Sequence, residues 1–561
     1  MKLRFALLFN GKTLERWHLR CLDHLEPFAD LVAAIVAPDP PPAPSNAASI
    51  LVRSYARRVG NRSALDVTKK FENVSRFRPE NVAGSAEASG LDFVLKLGCV
   101  KFTNTLPSAA RLGLWYFEHE REIDLLPFFD ELYECESVTR AALLALIARS
   151  NEAVILQEGH FRTELRSYTA HRDHLLDAIE RWPAWVCRRF SAGAVAESAR
   201  RGADAIVTPG RPNRRLHLLR HSVEITRERL EFAWQRLFRH PQWNIGVLNI
   251  TVGELLDGPY TDNRIEWFPL RGRGNFLGDP FGVVHDGRLQ VFCEHFGYRE
   301  GNGHIRTFDY SAVGFSSPQP AIKERVHLSY PCLVHHRDRI YCVPETSGLN
   351  EVALFRAEEF PLRWSKVAVL IEHFAGVDPT VFRHGGRWWL MCTEKGSQEN
   401  VNLYVWHASD LFGPWTEHVR NPVKTDVRGA RPGGAPFIHA GMLYRPAQDC
   451  SKRYGWRIVI QRITRLTPTD FAEEPVKILE ASADSPFPLG RHTLSPVGNV
   501  VLIDGHREIF AWPAFWSFLR ICAKDFWGRR VSGHSTVGQK LSRSPEVKRN
   551  ASTGICERRF R

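Results

Sequence analysis

The sequence predicts a multidomain protein of mixed class: an α/β, Rossmann-like domain, a helical connector and an all-β, five-bladed propeller. Three observations carry this. The 561 residues exceed the ~250–300 at which a single hydrophobic core stops growing. The first 165 or so alternate buried-strand runs with helical periodicity. From Trp243 onward, short strand-and-turn units recur at a near-constant interval.

The elements follow in chain order. "LRFALLFN" and "LVAAIVAP" read as buried strands with a helical stretch between them, the start of a βαβ pattern. The opening "MKLRFALLFNG" is followed by a polar run without a small-residue cleavage site, so it reads as a first buried strand and not as a signal peptide. "PDPPPAPSN" at 38–46 is a loop; "LDFVLKLG" and "NEAVILQEG" are further strands, and "TRAALLALIARS" is read as an amphipathic helix. Residues 1–165 form this domain. "HRDHLLDAIERWPAWVCRRF" and "SVEITRERLEFAWQRLFRH" are helical by spacing and rich in Arg, with "TPGRPNRR" breaking them. They make 166–242 a helical connector.

The repeat then begins. "GDPFGVVHDGRLQVFCEHF", "SYPCLVHHRDRIYCVPETS", "GVDPTVFRHGGRWWLMCTEK", "GGAPFIHAGMLYRPAQD" and "LSPVGNVVLIDGHRE" share one grammar: Pro, apolar run, turn, apolar-aromatic strand, and usually an acid. The prolines are Pro280, Pro331, Pro379, Pro436 and Pro496, spaced by 51, 48, 57 and 60. A period near fifty suits one four-stranded propeller blade. Pairing of the early strand "WNIGVLNI" with the last blade would close the ring and remove the sheet edge. Residues 243–515 are thus the propeller, and 516–561 a basic tail expected to be disordered.

Composition narrows the class. Hydrophobic content of 43% and charged content of 24% fit a globular chain. No apolar run reaches the ~20 residues needed to span a bilayer. The eleven cysteines include no Cys-x-x-Cys pair, which leaves zinc and redox-pair readings unsupported and fits reduced thiols in the cytoplasm. Of the formal charge of +13, residues 524–561 carry +7, so the basicity points to a solvated tail and not to nucleic-acid binding. No Gly-x-Gly-x-x-Gly occurs in the first domain, which argues against a dinucleotide.

The inner strands of a propeller line its central channel, so blade-initial residues gather at one mouth. Asp279, Tyr330, Asp378, Gly434 and Ser495 are expected there, with Asp279 and Asp378 as a general acid/base pair. Arg271, Arg273 and Arg431 lie near blade starts and suit a substrate phosphate or carboxylate. Glu294, Glu345, Glu394 and Asp449 end the inner hairpins, and His492 is expected near the channel axis; no metal site is assigned. Trp388, Trp389 and Trp267 are sugar-stacking candidates, though strand aromatics usually pack in cores.

The repeat resembles the five-bladed glycoside hydrolases of the arabinanase and β-xylosidase type. That resemblance implies a general base at Asp279 in "GDPF" and an orienting Asp378 in "VDPTVF". Their general acid is a fourth-blade Glu, and here Gly434 stands in its place, leaving Glu345 as the substitute. "RPGGAPFIHAGMLYRPAQDCSKRYG", with "SYPCLV", "VPETS" and "HTLSP", resembles the N-terminal propeller domain of plant glucosamine inositolphosphorylceramide transferases, over about 245–510. The first domain weakly resembles formyltransferases that use formyl-tetrahydrofolate, but Tyr116 and Glu118 stand where that family has Asn and His. Glu118 and His119 are the candidate pair there.

The expected function is carbohydrate-directed: a transferase in surface-glycan assembly or modification, acting on a sugar or glycan, with nucleotide sugars among its donors. The alternatives are a sugar N-formyltransferase, the only reading that calls for the cofactor formyl-tetrahydrofolate, and a non-catalytic glycan-binding scaffold. The missing fourth-blade Glu disfavours a glycosidase.

Overall fold

A computed structural model describes residues 2–37, 64–84, 90–102, 106–120, 127–147, 153–193 and 223–510, apart from 224, 232, 236, 237, 260 and 271. The basic tail and Arg271 lie outside the described residues.

The N-terminal unit is a seven-stranded mixed sheet. Its order is 76–77, Ala29–Val36, Leu3–Phe9, Phe93–Lys96, Leu114–Phe117, Val138–Leu146 and Ala153–Arg162. The first five run parallel. The last two are antiparallel. The stretch "TRAALLALIARS" (139–150), expected as a helix, contributes most of the strand Val138–Leu146. Its run of small and apolar residues is buried from both sides, and such a short run has no period that separates helix from strand. The sheet has the parallel core expected of an α/β domain but few helices.

The connector reading needs correction. Helices Tyr168–Ile179 and Trp182–Ser191 are part of the N-terminal unit: Leu175, Ile179, Trp182 and Cys187 pack with Phe93, Trp115 and Phe161 of the sheet. Their apolar stripe has to be buried against something, and the nearest unpaired apolar face is that sheet.

Five sheets of four or five strands follow. Blade 1 comprises Asn275–His285, Arg288–Gly297, Asn302–Ser311 and two short outer strands. Blade 2 comprises Ser329–His336, Arg339–Glu345, Glu351–Glu359 and Arg363–Glu372. Blade 3 starts with Gly376–His384, Arg387–Glu394 and Asn402–Ala408. Blade 4 is Phe437–His439, Met442–Asp449, Arg457–Leu466 and Phe471–Glu480. Blade 5 joins Leu494–Val497 and Val500–Phe510 to the early strands Arg239–Leu248 and Ile265–Trp267. Ten residue pairs, from Arg239↔Phe510 to Leu248↔Val501, close the ring as expected.

Stacked blades cover both faces of each other's strands. This explains why Arg387–Glu394 is buried along all but its two ends: Trp388 packs toward blade 2 and Trp389 toward blade 4. Both are core residues and neither is a sugar platform. Trp267 lies under Arg491, whose guanidinium carbon is 5.1 Å from its ring centre.

The first three prolines are equivalent. In blades 1 to 3 the residue before proline is left-handed, Asp279 at φ 52°, Tyr330 at 49° and Asp378 at 51°. Inner pairing slips by a bulge at that point and resumes at Phe281↔Phe292, Cys332↔Val343 and Thr380↔Met391. Pro436 is not equivalent. Those resumed pairs are each eleven residues apart, whereas Phe437↔Tyr444 spans seven, and upstream pairing moves to Pro432↔Ala447. The shorter hairpin brings Gly433 and Gly434 to the level of the other blades' Asp-Pro.

The two units meet along Ala153–Arg162. His160 bridges to Asp426, and Val401, Val427 and Cys450 of the propeller join the core of the N-terminal sheet.

Candidate functional site at the propeller mouth

A non-glycine residue in the left-handed region costs on the order of 1–3 kcal/mol and persists where its surroundings fix it. Here a relay of hydrogen bonds does so. The Asp279 N–H donates to Asp504 Oδ2 (3.4 Å), the Tyr330 N–H to Asp279 Oδ2 (3.2 Å), and the Asp378 N–H to Glu345 Oε2 (3.4 Å). Each bulge turns its amide toward a neighbouring carboxylate.

Two charge clusters result. In the first, His492 lies between two acids: its Nε2 is 3.3 Å from Asp279 Oδ1, and its Nδ1 is in close contact with Asp504 Oδ2. Asp504 Oδ1 also accepts the backbone N–H groups of His492 (2.8 Å) and Thr493 (3.1 Å), and the Thr493 hydroxyl donates to Asp279 Oδ1 at 2.7 Å. Burial opposes a charge on His492, but the carboxylates of Asp504 and Asp279 outweigh it and hold the imidazolium up to about 9. Burial lifts Asp279 above the ordinary carboxylate range, His492 pulls it back, and Asp504 pushes it further up.

In the second cluster Asp378 accepts Arg431 Nε (2.6 Å) and Nη2 (3.3 Å) together with Gln448 Nε2 (2.7 Å). Burial raises Asp378 to about 7 against the pull of Arg431, with Glu345 and Asp279 adding to the rise. That the charge of Asp279 reaches Asp378 places the two aspartates in one electrostatic environment. Glu345 also accepts the Ser347 hydroxyl at 2.6 Å. Burial raises Glu345, but Lys395 and Arg431 outweigh it and hold it below its ordinary value.

The predicted residues divide accordingly. Asp279, Asp378, Glu345, Arg431 and His492 come together. Arg431 is spent on Asp378 and on Asn400 Oδ1 (3.0 Å), so it is a clamp on the acid and not a free anion ligand. Tyr330 is fully buried, its hydroxyl 2.8 Å from Thr380 Oγ1 and 3.2 Å from Gly434 O, and it ties blades together instead of meeting substrate. Asp449 pairs with Arg457 (2.9 Å) and with the Ser451 N–H, outside both clusters. Arg273 is exposed and makes none of these contacts.

Sequence reasoning missed four members: Asp504, Gln448, Trp243 and Tyr454. Trp243 stacks on His492 at 3.9 Å, and Tyr454 meets the same imidazole edge-on at 5.4 Å. Tyr454 is 38% exposed beside the buried acids, with the Arg431 guanidinium carbon 4.8 Å from its ring centre. Asp504 had a signal: it is one acid inside the apolar run "VVLID", and such a buried charge requires a partner.

Asp279, His492 and Asp504 each offer a ligand atom, all within 4.8 Å of one another, the one such group among the described residues. The trio has the donor set for a divalent cation, which would compete with a proton on His492.

The fourth-blade position is closed to any side chain. Gly434 sits at φ 128°, and a Cβ on it would stand 1.8 Å from Leu494 O.

The N-terminal candidates do not form a pair. Glu118 is bound to Arg140 at 2.6 Å, and the His119 ring packs against those of Trp17, Phe117 and Phe128. Tyr116 is buried with Ala142 and Leu144.

Residues 270–485 match the family described as Glucosamine inositolphosphorylceramide transferase 1, N-terminal. Among curated relatives, Glucosamine inositolphosphorylceramide transferase 1 of Oryza sativa subsp. japonica is 36% identical over 212 residues, which cover 36% of this chain and 28% of that one. The protein of the same name from Arabidopsis thaliana is 35% identical over 217 residues, 37% of this chain and 28% of that one. The chain thus matches little more than a quarter of either relative, and the family match covers Asp279, Glu345, Asp378, Arg431 and Gln448 but stops short of His492 and Asp504. Among solved structures, a family 117 glycoside hydrolase produced by Zobellia galactanivorans shares 14% identity at a TM-score of 0.31, covering 48% of this chain and 91% of that one. An alpha-L-arabinanase of Cellvibrio cellulosa complexed with arabinohexaose shares 13% at 0.28, covering 35% and 77%. The five-bladed assignment itself rests on the strand pairing above.

Proposed function

We propose that the protein is a carbohydrate-directed transferase whose site is the propeller mouth, acting in the assembly or modification of a glycan. The observation that carries this is the pairing of a buried, base-like Asp279 with a fourth-blade position that admits no acid. A carboxylate has about four lone-pair sites. Thr493, the Tyr330 N–H and His492 take three of those on Asp279, leaving room for one acceptor hydroxyl. A carboxylate raised toward neutrality is a better general base. Asp279 would take the proton of an acceptor hydroxyl as that oxygen attacks the anomeric carbon of the donor. Hydrolysis of an ordinary glycoside also needs a proton on the leaving oxygen, and the closed Gly434 position withholds it. Transfer from a sugar whose leaving group departs as a stable phosphate anion needs none. Tyr454, 38% exposed, is the candidate contact for a sugar. The match to a domain of proteins named as glucosamine transferases is consistent with this class.

The test is Asp279→Asn against a panel of nucleotide sugars and glycan acceptors. In the amide the one oxygen can still accept the Tyr330 N–H and the NH2 can donate to the Thr493 hydroxyl, so the fold should persist by circular dichroism while turnover drops roughly 10²–10⁴-fold, as loss of a general base gives. Unchanged turnover in a folded variant overturns the reading.

A second reading is favoured by one observation. Asp279 is 4% and Asp378 2% exposed, and both are engaged by neighbours, which suits a glycan-binding scaffold. Glycan binding without turnover of any donor would select it.

A further inference from the structure

We infer that the N-terminal unit is a positioning element for the propeller site: it holds the two groups that clamp Asp378. Both clamps grow out of the seam between the units. On one side the Val427 N–H donates to His160 O at 2.9 Å, and Val427 is buried in the N-terminal core. The chain then makes a tight turn, with the Ala430 N–H donating to Asp426 O at 2.9 Å, and delivers Arg431 to Asp378. Three residues separate the seam contact at Val427 from Arg431.

The second clamp is built in parallel. Cys450 is buried in the same N-terminal core, and its N–H donates to Val427 O at 3.0 Å. Two residues earlier on that strand, Gln448 donates to Asp378, and its own N–H donates to Arg431 O at 2.9 Å. A third strut runs from Gln398, whose amide donates to His174 O at 3.4 Å. Next to it, Val401 enters the N-terminal core and Asn400 accepts from Arg431. Every group that orients Arg431 or Gln448 is thus within a few residues of an N-terminal contact.

Asp279 has no such dependence. Its partners are Thr493, His492, Asp504 and Tyr330, all in blades 5 and 2. Loosening the seam should therefore affect one aspartate and spare the other. This gives the N-terminal unit a role that needs no chemistry of its own. That role matters for turnover only if the mouth is the functional site, but the geometric claim stands or falls separately.

The experiment compares carboxyl labelling by a water-soluble carbodiimide and glycine amide at Asp378 and Asp279, read by peptide mass spectrometry on the full chain. Gly159→Val enlarges a residue whose added Cβ would stand 2.7 Å from Thr425 Cγ2 at the seam. Val427→Ala removes packing from the propeller side. In both, labelling of Asp378 should rise about tenfold, the response to ~1.4 kcal/mol lost from the closed state, with Asp279 unchanged. Hydrogen exchange over 425–431 and 446–450 should quicken in step. Asp378 labelling that stays at the wild-type rate while the seam exchanges faster overturns the inference. So does an equal rise at both aspartates, which reports general loosening of the propeller. If Gly159→Val fails to fold, Val427→Ala decides alone. Loss of the Asp378 response leaves the Asp279 reading intact, and loss of the Asp279 turnover phenotype leaves this one intact.

Discussion

The backbone N–H of Gly434 donates to the phenolic oxygen of Tyr330 over 2.7 Å, joining blade 4 to blade 2 at the level where blades 1 and 3 present their aspartates. The same hydroxyl meets Thr380 Oγ1 and Gly434 O, so one buried oxygen ties three blades. Tyr330→Phe keeps the ring and strands a buried N–H. Unsatisfied buried donors cost about 1–3 kcal/mol. A loss of that size in the unfolding free energy from urea titration is expected; a change below about 0.5 kcal/mol, the range of ordinary surface substitutions, would show that the tie is not structural.

Restoring the absent acid should fail. Gly434→Glu places a Cβ 1.8 Å from Leu494 O on a backbone at φ 128°. The variant is expected to be insoluble or to melt far below wild type, and Gly434→Ala should share the defect because the clash begins at Cβ. A well-folded Gly434→Ala protein would refute the closed-position argument.

Stability should fall as the solution becomes alkaline. The folded His492 titrates at about 9 against an ordinary 6.5. A group with a raised folded value binds its proton more tightly when folded, so its contribution is complete below about 6.5 and is lost as pH rises through 9. The shift corresponds to something on the order of 3 kcal/mol. Asp378, raised from 3.8 to about 7, has the same sign at lower pH. Melting temperature measured from pH 6 to 10 should decline in wild type and lose most of that slope in His492→Gln. A flat wild-type profile would mean that His492 is neutral between its acids.

Removing the clamp should be costly. Arg431→Met leaves Asp378 buried without its cation, and breaking such a pair typically costs about 3–5 kcal/mol. Arg431→Lys restores the charge but not the two-pronged contact, so it should recover only part of the loss. Chemical denaturation of the three proteins checks the order wild type, Lys, Met.

The sequence made the ring legible because Asp-Pro and Tyr-Pro recur before apolar hairpins, and a residue forced left-handed ahead of proline leaves that trace. Pro436 misled for the same reason: it has the right neighbours, but its hairpin is shorter, and only strand register reveals that. Asp279 and Asp378 were readable as residues of equivalent blade starts, and both lie there, each within a buried charge cluster. What Arg431 would bind was not, because sequence places a charge near a blade start without saying whether it faces solvent or an acid 53 residues earlier. The helices after residue 166 were readable as helices, but the face they bury belongs to a sheet finished earlier in the chain. The stretch "TRAALLALIARS", expected as a helix, instead enters the strand Val138–Leu146, since a short apolar run does not by its period separate helix from strand.

Closing the ring with Arg239–Leu248 against Val500–Phe510 has a cost in time. The pair Arg239↔Phe510 joins residues 271 apart, and such a contact cannot form until synthesis has passed the last blade. During translation at about 5–20 residues per second, the early strand waits tens of seconds with its ladder groups unsatisfied, its natural mate not yet made. In that interval the exposed edge is a template for the wrong partner. Slow decoding or truncation before Phe510 should therefore harm yield more than equal damage after it, and a chaperone that shields residues 239–248 would act at the most vulnerable moment in the life of the chain.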